Sequence, residues 1–417
     1  MLGLDIEDIK KELIRIKPNI VGLTVVTPTV VIVKKIIDLI KEINKDTLVV
    51  VGGPHITVLH EELLDIADIS VIGEGEETFL DIVDYYEGKL DLEDIKGIAY
   101  RDNNKDYINP KREFIEDLDK IPFPVFDLID LSRYHHIYPH KLDEKYTTII
   151  TSRGCHHNCF FCSSSKLWGR KVRYRAIENV IKEIRQLQNR YNISEIFICD
   201  DIFGPCWRIE EFCQRLNTEK IKIDWVCHMR CDEVNEQILS LMKSAGCVEI
   251  QFGVESGNDE ILKRSNKQLA IQQIKEAFRM SKKIKIDTWA TFIIGLYGET
   301  KETFNKTIDL CKELDPTYAT FLNLLPLPGS QIYNDYMGKG YIKISKDWSK
   351  YSWHNFPIFE TEFLSKNDLI DLKKKAYLKF YLRPIILIRY FLQLIKTKSV
   401  KRMFRNILLF LKLSKNI

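Results

Sequence analysis

Six short β-branched and apolar runs, separated by helical periods, fill the stretch from Tyr146 to Pro326 and leave few folds open to it. The runs are TTIITS, SEIFICDD, IDWVCHM, CVEIQFGVES, DTWATFIIG and TYATFLNLLP. The amphipathic segments between them fall near residues 176–191, 208–217, 235–245, 268–284 and 300–314. Strands that alternate with helices pair in parallel, because each crossover helix packs back over the sheet with a right-handed turn. Six βα repeats are two short of a closed eight-stranded barrel, so an α/β fold with a partial, TIM-like (βα)6 barrel over residues 146–340 is predicted. Ligands of such barrels gather at the carboxyl ends of the strands. RGCHHNC, CDD, HMRCD, GVESG and GLYGET all fall at those ends, which predicts one shared active site.

A shorter alternation precedes it, over residues 1–88. NIVGLTVV, TLVVVGGPH and ISVIGEGEE read as strands and TVVIVKKIIDLIKEIN as a helix, again the pattern of a parallel sheet. Residues 89–145 carry fewer periodic signals and several prolines, and read as a linker with a short hairpin. Residues 341–417 read as a helical, basic extension. Of the chain's 62 Lys and Arg, thirteen lie between Leu372 and Ile417, where no Asp or Glu occurs; the remainder holds 49 bases against 59 acids. An acidic body with a basic, aliphatic tail suits a solvated terminal subdomain or peripheral contact with an anionic membrane better than nucleic acid. The tail's apolar runs are too short to span a bilayer. Met1 leads straight into an amphipathic helix rather than a secretory signal, and a cytoplasmic location is expected.

Ten cysteines in a chain of 417 residues are not a disulfide framework, and three of them, Cys155, Cys159 and Cys162, lie within eight positions. Three thiolates at this spacing can bind three irons of a [4Fe–4S] cubane and leave the fourth iron open to substrate or cofactor. A structural zinc with His156 or His157 as fourth ligand is the competing reading. Closed zinc sites usually bring their ligands in two separated pairs, whereas these histidines sit inside the loop. Cys199, Cys227 and Cys247 are expected as small core residues, and Cys206, Cys213, Cys231 and Cys311 make no second cluster spacing.

At this point the sequence resembles the radical S-adenosylmethionine (SAM) enzymes, whose CxxxCxxC loop with an aromatic before the last cysteine matches Cys155, Cys159, Phe161 and Cys162. The resemblance implies that SAM chelates the open iron and that an electron from the cluster cleaves its sulfonium. The products would be methionine and a 5′-deoxyadenosyl radical that abstracts a substrate hydrogen. It implies further roles for residues at the strand ends. Asp200 and Asp201 would face the methionine moiety, with Asp200 accepting from its ammonium group. Glu255 would bind the ribose, with Ser256 nearby, and Arg230 would reach a carboxylate of SAM or substrate. In IIGLYGET, which resembles the family's GxPGET turn with Tyr297 for Pro, Gly295 and Gly298 would let the cofactor approach the backbone. LLPLPGS would close the barrel.

The first domain, through VVGGPHIT and VIGEGEETF, resembles the cobalamin-binding class of that family. This implies a flavodoxin-like, Rossmann-type sheet with the corrinoid over its strand ends. Thr24 stands in the family's Ser-x-Leu stretch, and Gly52 and Gly53 stand where no side chain should block the cofactor's tail. His55 is expected to hydrogen-bond locally rather than to ligate cobalt, and Glu74 and Glu76 to cap the following helix. Two further strands of that fold should precede Asn19, where only a helix is found, so the domain is expected to be incomplete with one open edge. The resemblance as a whole implies methyl transfer to an unactivated carbon. A radical cyclisation or oxidation of the anaerobic bacteriochlorophyll cyclase type, or a non-catalytic paralogue, are the alternatives. The substrate would be a small or lipid-like molecule, and the reductant a ferredoxin or flavodoxin.

Overall fold

The computed structural model describes residues 5–131, 145–338, 347–352 and 357–397. The chain divides into two compact units. The first comprises residues 1–121, 162–171 and 326–352, and the second residues 122–161, 172–325 and 353–417.

The first unit begins with α1 (Ile6–Ile16), β1 (Ile20–Thr24), α2 (Val30–Ile43), β2 (Leu48–Gly52), α3 (Pro54–Val58), β3 (Ile69–Val71) and α4 (Glu76–Tyr86). Strands β1, β2 and β3 pair in parallel, as the alternation requires. A hairpin of β4 (Ile98–Asp102) and β5 (Lys105–Ile108) then adds antiparallel to β3, giving the order β1-β2-β3-β4-β5. The hairpin expected within a linker is thus part of the sheet. Ile98, Ala99 and Tyr100 are buried, so the apolar half of β4 is drawn onto the sheet while Arg101 and Asp102 stay in water. β1 forms the opposite edge. Glu74 does not cap α4; its carboxylate accepts from the Ile115 N–H at 2.7 Å, and Gly75 holds the N-cap position.

The second alternation runs through β6 (Tyr146–Ile149), β7 (Ser152–Arg153), α5 (Ser164–Leu167), β8 (Arg173–Tyr174), α6 (Ile177–Tyr191), β9 (Glu195–Ile198) and α7 (Cys206–Thr218). It continues through β10 (Asp224–Met229), α8 (Glu236–Ser244), β11 (Cys247–Glu255), α9 (Asp259–Arg264), α10 (Ile271–Ile284), β12 (Asp287–Ile294), α11 (Lys301–Leu314) and β13 (Tyr318–Asn323). It ends with α12 (Gln331–Gly338), α13 (Lys366–Tyr381) and α14 (Pro384–Thr397). α5 and α12 group with the first unit. The six expected strands form one parallel sheet in the order β6-β9-β10-β11-β12-β13.

Side-chain alternation decides the two faces of this sheet. Ala290, Phe292, Ile294, Ala319 and Phe321 join the buried core under the helices, while Trp289, Thr291, Ile293, Thr320 and Leu322 take the half-buried positions between them. Polar side chains on neighbouring strands bond to one another: His228 Nε2 pairs with Gln251 Oε1 at 3.0 Å and Trp289 Nε1 donates to Thr320 at 2.8 Å, while within β11 Gln251 Nε2 donates to Glu249 at 3.0 Å.

An open barrel leaves an edge strand with unpaired backbone groups. Along β13 two tyrosines of α13 take that place. The Tyr381 hydroxyl receives the Ala319 N–H at 3.2 Å and donates to the Ala319 carbonyl at 2.8 Å, and the Tyr377 hydroxyl receives the Phe321 N–H at 3.3 Å. No helix among the described residues is long and apolar enough to cross a membrane. The last twenty residues of the basic tail, 398–417, lie outside the described residues.

Candidate active site at the carboxyl ends of the strands

The cysteine loop leaves β7 directly. The start of β7 is clasped from just beyond β9: Asp200, buried to 2% exposure, accepts from the Thr151 N–H at 2.6 Å, the Thr151 hydroxyl at 2.5 Å and the Ser152 hydroxyl at 2.7 Å. Burial pushes its carboxyl up, and these donors pull it back. The sequence reading gave Asp200 to the ammonium of SAM; its carboxylate is instead satisfied by the strand that launches the loop. Asp201 is exposed on the turn that follows.

Cys155 and Cys159 are half-buried, Cys162 is exposed, and none of the ten cysteines is in a disulfide. Cys162 Sγ receives the Ser164 N–H at 3.4 Å. Burial raises the Cys155 and Cys159 thiols. At Cys159 the cations of Lys267 and Arg230 oppose that rise and favour the thiolate, the form that binds metal. The loop is fixed further by the Phe160 N–H donating to the Ser265 carbonyl at 3.0 Å and by the Asn266 amide donating to the Asn158 carbonyl at 2.6 Å. The Phe160 ring meets Tyr297 edge-on, with centroids 6.3 Å apart.

His156 and His157 turn toward one acid. Their Nε2 atoms lie 3.7 and 3.2 Å from Glu233 Oε1, and the three ligand atoms lie within 4.8 Å of one another. Burial moves Glu233 up to about 7 and His157 down to about 4. The two imidazoles are thus gathered with one carboxylate, and His157 pairs with it.

At the end of β11 the register slips between Gly253 and Glu255, and Glu255 takes a left-handed φ of 66°. A bulge of this kind re-aims a side chain. Here it directs the carboxylate to Lys267 Nζ at 3.0 Å, with both side chains 8% exposed. A Cβ on Gly253 would stand 2.3 Å from Glu255 Oε1 and 3.0 Å from Lys267 Nζ, so a side chain there would displace the pair. Ser256, fully buried, lies 3.4 Å from the Thr307 hydroxyl and faces the helix layer. Arg230 ends β10 with its Nε and Nη2 on Asp232, both at 2.9 Å, and Nη2 also on the Lys267 carbonyl at 2.9 Å. Its Nη1 is buried and has no hydrogen-bond partner among the described residues.

Gly295 has φ 93°, and its N–H donates to Glu299 at 2.6 Å. A Cβ on Gly295 would meet Leu369 at 3.2 Å and Thr361 at 3.4 Å, and one on Gly298 would meet Arg264 at 2.3 Å. The close approach that these glycines permit is therefore made by the chain's own side chains. Lys267, Glu233 and Glu299 were missed by sequence reasoning. Glu299 was readable only as a helix start, and Lys267 sits in a loop with no strand-end signature. Cys199, expected in the core, is exposed at the end of β9, whereas Cys227 and Cys247 are buried.

In the first unit, Thr24 is exposed at the end of β1. Gly53, with φ 95°, packs against it: a Cβ would lie 3.0 Å from Thr24 Cγ2 and 3.1 Å from the Val25 backbone. A Cβ on Gly52 would meet Val71 at 3.4 Å. At the end of β3, Gly73 (φ 92°) has nothing within 4 Å of its Cβ position, which leaves room beside that strand end. His55 is 1% exposed; its Nδ1 pairs with the Thr27 hydroxyl at 3.1 Å, and its ring lies edge-on to Trp348 at 5.0 Å. It is thus buried as a local partner.

Three soft donors in one loop, with Lys267 and Arg230 beside Cys159 and the Arg230 Nη1 buried without a partner among the described residues, fit a thiolate-bound cluster and an anionic cofactor group. Gly73, just beyond β3, leaves open space at the place where such sheets bind ligands.

Comparison with known proteins agrees. Residues 149–311 match the Radical SAM superfamily, and residues 1–83 match the B12 binding domain. An uncharacterized methyltransferase of Pyrococcus horikoshii is 34% identical over 391 residues, covering 93% of this chain and 83% of the relative. An anaerobic magnesium-protoporphyrin IX monomethyl ester cyclase of Rubrivivax gelatinosus is 28% identical over 393 residues, covering 91% of this chain and 69% of the relative. The structure of the radical SAM methyltransferase TsrM from Kitasatospora setae, with tryptophan and a SAM analog bound, superposes with a TM-score of 0.67 at 20% identity. It covers 81% of this chain and 69% of that one, a likeness of fold. The chain therefore belongs to the radical SAM enzymes that carry a B12 binding domain, a family built on a [4Fe–4S] cluster, SAM and cobalamin.

Proposed function

We propose that this enzyme transfers a methyl group to an unactivated carbon of a small molecule. The observation that carries the reading is the grouping of Cys159 with Arg230, Lys267 and Glu255 at the strand ends, in a chain whose other unit is a B12 binding domain. When bound, the cluster supplies the electron that breaks a carbon–sulfur bond of SAM, and the corrinoid supplies a methyl carrier.

The chain's own residues hold and orient. Cys155, Cys159 and Cys162 hold the cluster. Arg230 offers its unpartnered Nη1 to a carboxylate. Glu255, held by Lys267, is aimed for the hydroxyls of a ribose. Asp200 is a positioning residue that fixes the start of the cysteine loop. Phe160 and Tyr297 pack beside that loop and exclude water. In the first unit Thr24, Gly52, Gly53 and Gly73 form the strand ends over which the corrinoid lies. The electron comes from a ferredoxin or flavodoxin. The substrate is lipid-like or met at a membrane surface, a reading supported by the aliphatic and basic character of residues 372–417.

The test is an anaerobic incubation of the reconstituted protein with cobalamin, reductant and SAM deuterated in its methyl group. Both 5′-deoxyadenosine and S-adenosylhomocysteine are expected. 5′-Deoxyadenosine without S-adenosylhomocysteine would favour the cyclase-type reaction, to which the 28% identical relative points. Neither product, with the cluster intact by spectroscopy, would refute both.

A further inference from the structure

The end of the second unit carries a row of aliphatic side chains that the fold leaves in water. Ile385, Ile388 and Leu392 on α14 recur at helical steps of three and four residues, and Leu378 on α13 and Leu382 just after it precede them across the break between the two helices. Each is between 42 and 56% exposed, and Leu387 beside them is 52% exposed. Isolated apolar surface residues need no explanation, but a continuous row of them does.

This row is held outward by its own helix. Ile386 is fully buried on the opposite side, and Arg383 and Arg389 both bind Asp315, at 2.9 and 2.8 Å. Arg389 also donates to the Pro316 carbonyl at 3.0 Å, and Arg383 to the Lys312 carbonyl at 2.9 Å. The two arginines are thus fastened to the barrel side, and α14 cannot roll to bury its aliphatic row without breaking four charge-assisted contacts.

The charge around the row selects the occupant. By sequence, residues 372–417 contain thirteen Lys and Arg and no acid; six of these lie outside the described residues, Arg383 and Arg389 bind Asp315, and Lys374, Lys375 and Lys379 are exposed on α13. A second copy meeting this face symmetrically would bring an equal cluster of like charge against it. Nucleic acid would neutralise the bases but leave the aliphatic row in water. An anionic lipid surface meets both needs, taking the aliphatic side chains below the headgroups and the lysines among them.

We propose that α14, with the end of α13, docks this enzyme on the surface of an anionic membrane, lying in the interface rather than crossing it. The docking is independent of the chemistry at the strand ends, so an enzyme inactive in methyl transfer can still show it. The test uses the full-length, cluster-loaded protein and sedimentation with vesicles of phosphatidylcholine alone or with 30 mol% (about one lipid in three) phosphatidylglycerol. At about 0.1 M salt, binding to the anionic vesicles should be at least about tenfold tighter than to the neutral ones, and should weaken at about 0.5 M. The double variant Ile385→Asp, Ile388→Asp should lose that binding while keeping the melting temperature and cluster absorbance of the parent. The proposal fails if the parent does not bind anionic vesicles, or if the double variant binds as the parent does. It also fails if the parent is a dimer in solution that the double variant turns into a monomer, since a second copy then owns the row.

Discussion

Glu255 and Lys267 face each other at 3.0 Å, each 8% exposed, at the point where a bulge turns the end of β11 into the site. A pair buried this deeply is costly to leave half-made, because the surviving charge has no water to return to. Lys267→Met is therefore expected to destabilise the protein by about 3–5 kcal/mol in urea unfolding. The double variant Glu255→Gln, Lys267→Met should recover most of that loss. SAM affinity, measured by calorimetry, should fall in Lys267→Met and stay low in the double variant. If it returns together with the stability, the pair is structural only.

The thiols of the loop separate from the other cysteines by one measurement. Replacing Cys155, Cys159 or Cys162 by Ser should lower iron and sulfide per chain to near zero after anaerobic reconstitution, with loss of the visible cluster absorbance. Cys199→Ser should leave the iron content unchanged, although that thiol is also exposed at a strand end. Equal iron loss in Cys199→Ser would require a different ligand set.

Asp200 and Cys199 show where the sequence stopped being informative. The positions of the strands followed from periodicity, since each run alternates or is wholly apolar and the helices between them carry their own caps, such as Thr300 on Thr303 and Asn235 on Ile238. The cysteine loop was legible because its spacing is itself the chemistry. An acid at the end of a strand, by contrast, has the same sequence signature whether it meets a ligand or a neighbouring strand, and Asp200 meets Thr151 and Ser152. Cys199 follows four buried residues yet is exposed beyond the end of β9, a change that composition does not reveal. Lys267 was silent for another reason: its partner Glu255 is joined to it only by the turn of the chain through α9. A short hairpin was expected somewhere in residues 89–145, but neither its place at 98–108 nor its pairing to β3 has a local signal.

His55 tests the first unit. Its ring is buried between Thr27 and Trp348, and burial brings its pKa down to about 4 from 6.5. The folded state therefore keeps the ring neutral where the unfolded chain takes up a proton. The stability it supports is present above about pH 6.5 and is lost as pH falls toward 4. His55→Asn should flatten part of that acid limb in unfolding curves between pH 4 and pH 7 (roughly the two pKa values). In the cobalamin-loaded protein reduced to Co(II), the electron paramagnetic resonance spectrum should be the same for parent and variant. Loss of a nitrogen splitting in the variant would make His55 a cobalt ligand after all.

Glu299 has the opposite dependence. Its carboxyl is fully buried beneath the turn after β12, accepts the Gly295 N–H at 2.6 Å, and is raised by burial from 4.5 to about 8. Between those values the unfolded chain has given up a proton that the folded chain retains. Stability is therefore whole below about pH 4.5, falls as pH rises, and levels off above about 8, with a slope of up to roughly 1.4 kcal/mol per pH unit. Glu299→Gln keeps an oxygen for the Gly295 N–H and removes the ionisation. The variant should match the parent near pH 5 and exceed it progressively toward pH 8.5 (about the top of the titration) in urea midpoints. A stability difference that stays constant across that range would mean that the carboxyl is ionised in the fold. The turn at Gly295 would then be held by a buried charge instead of a buried acid.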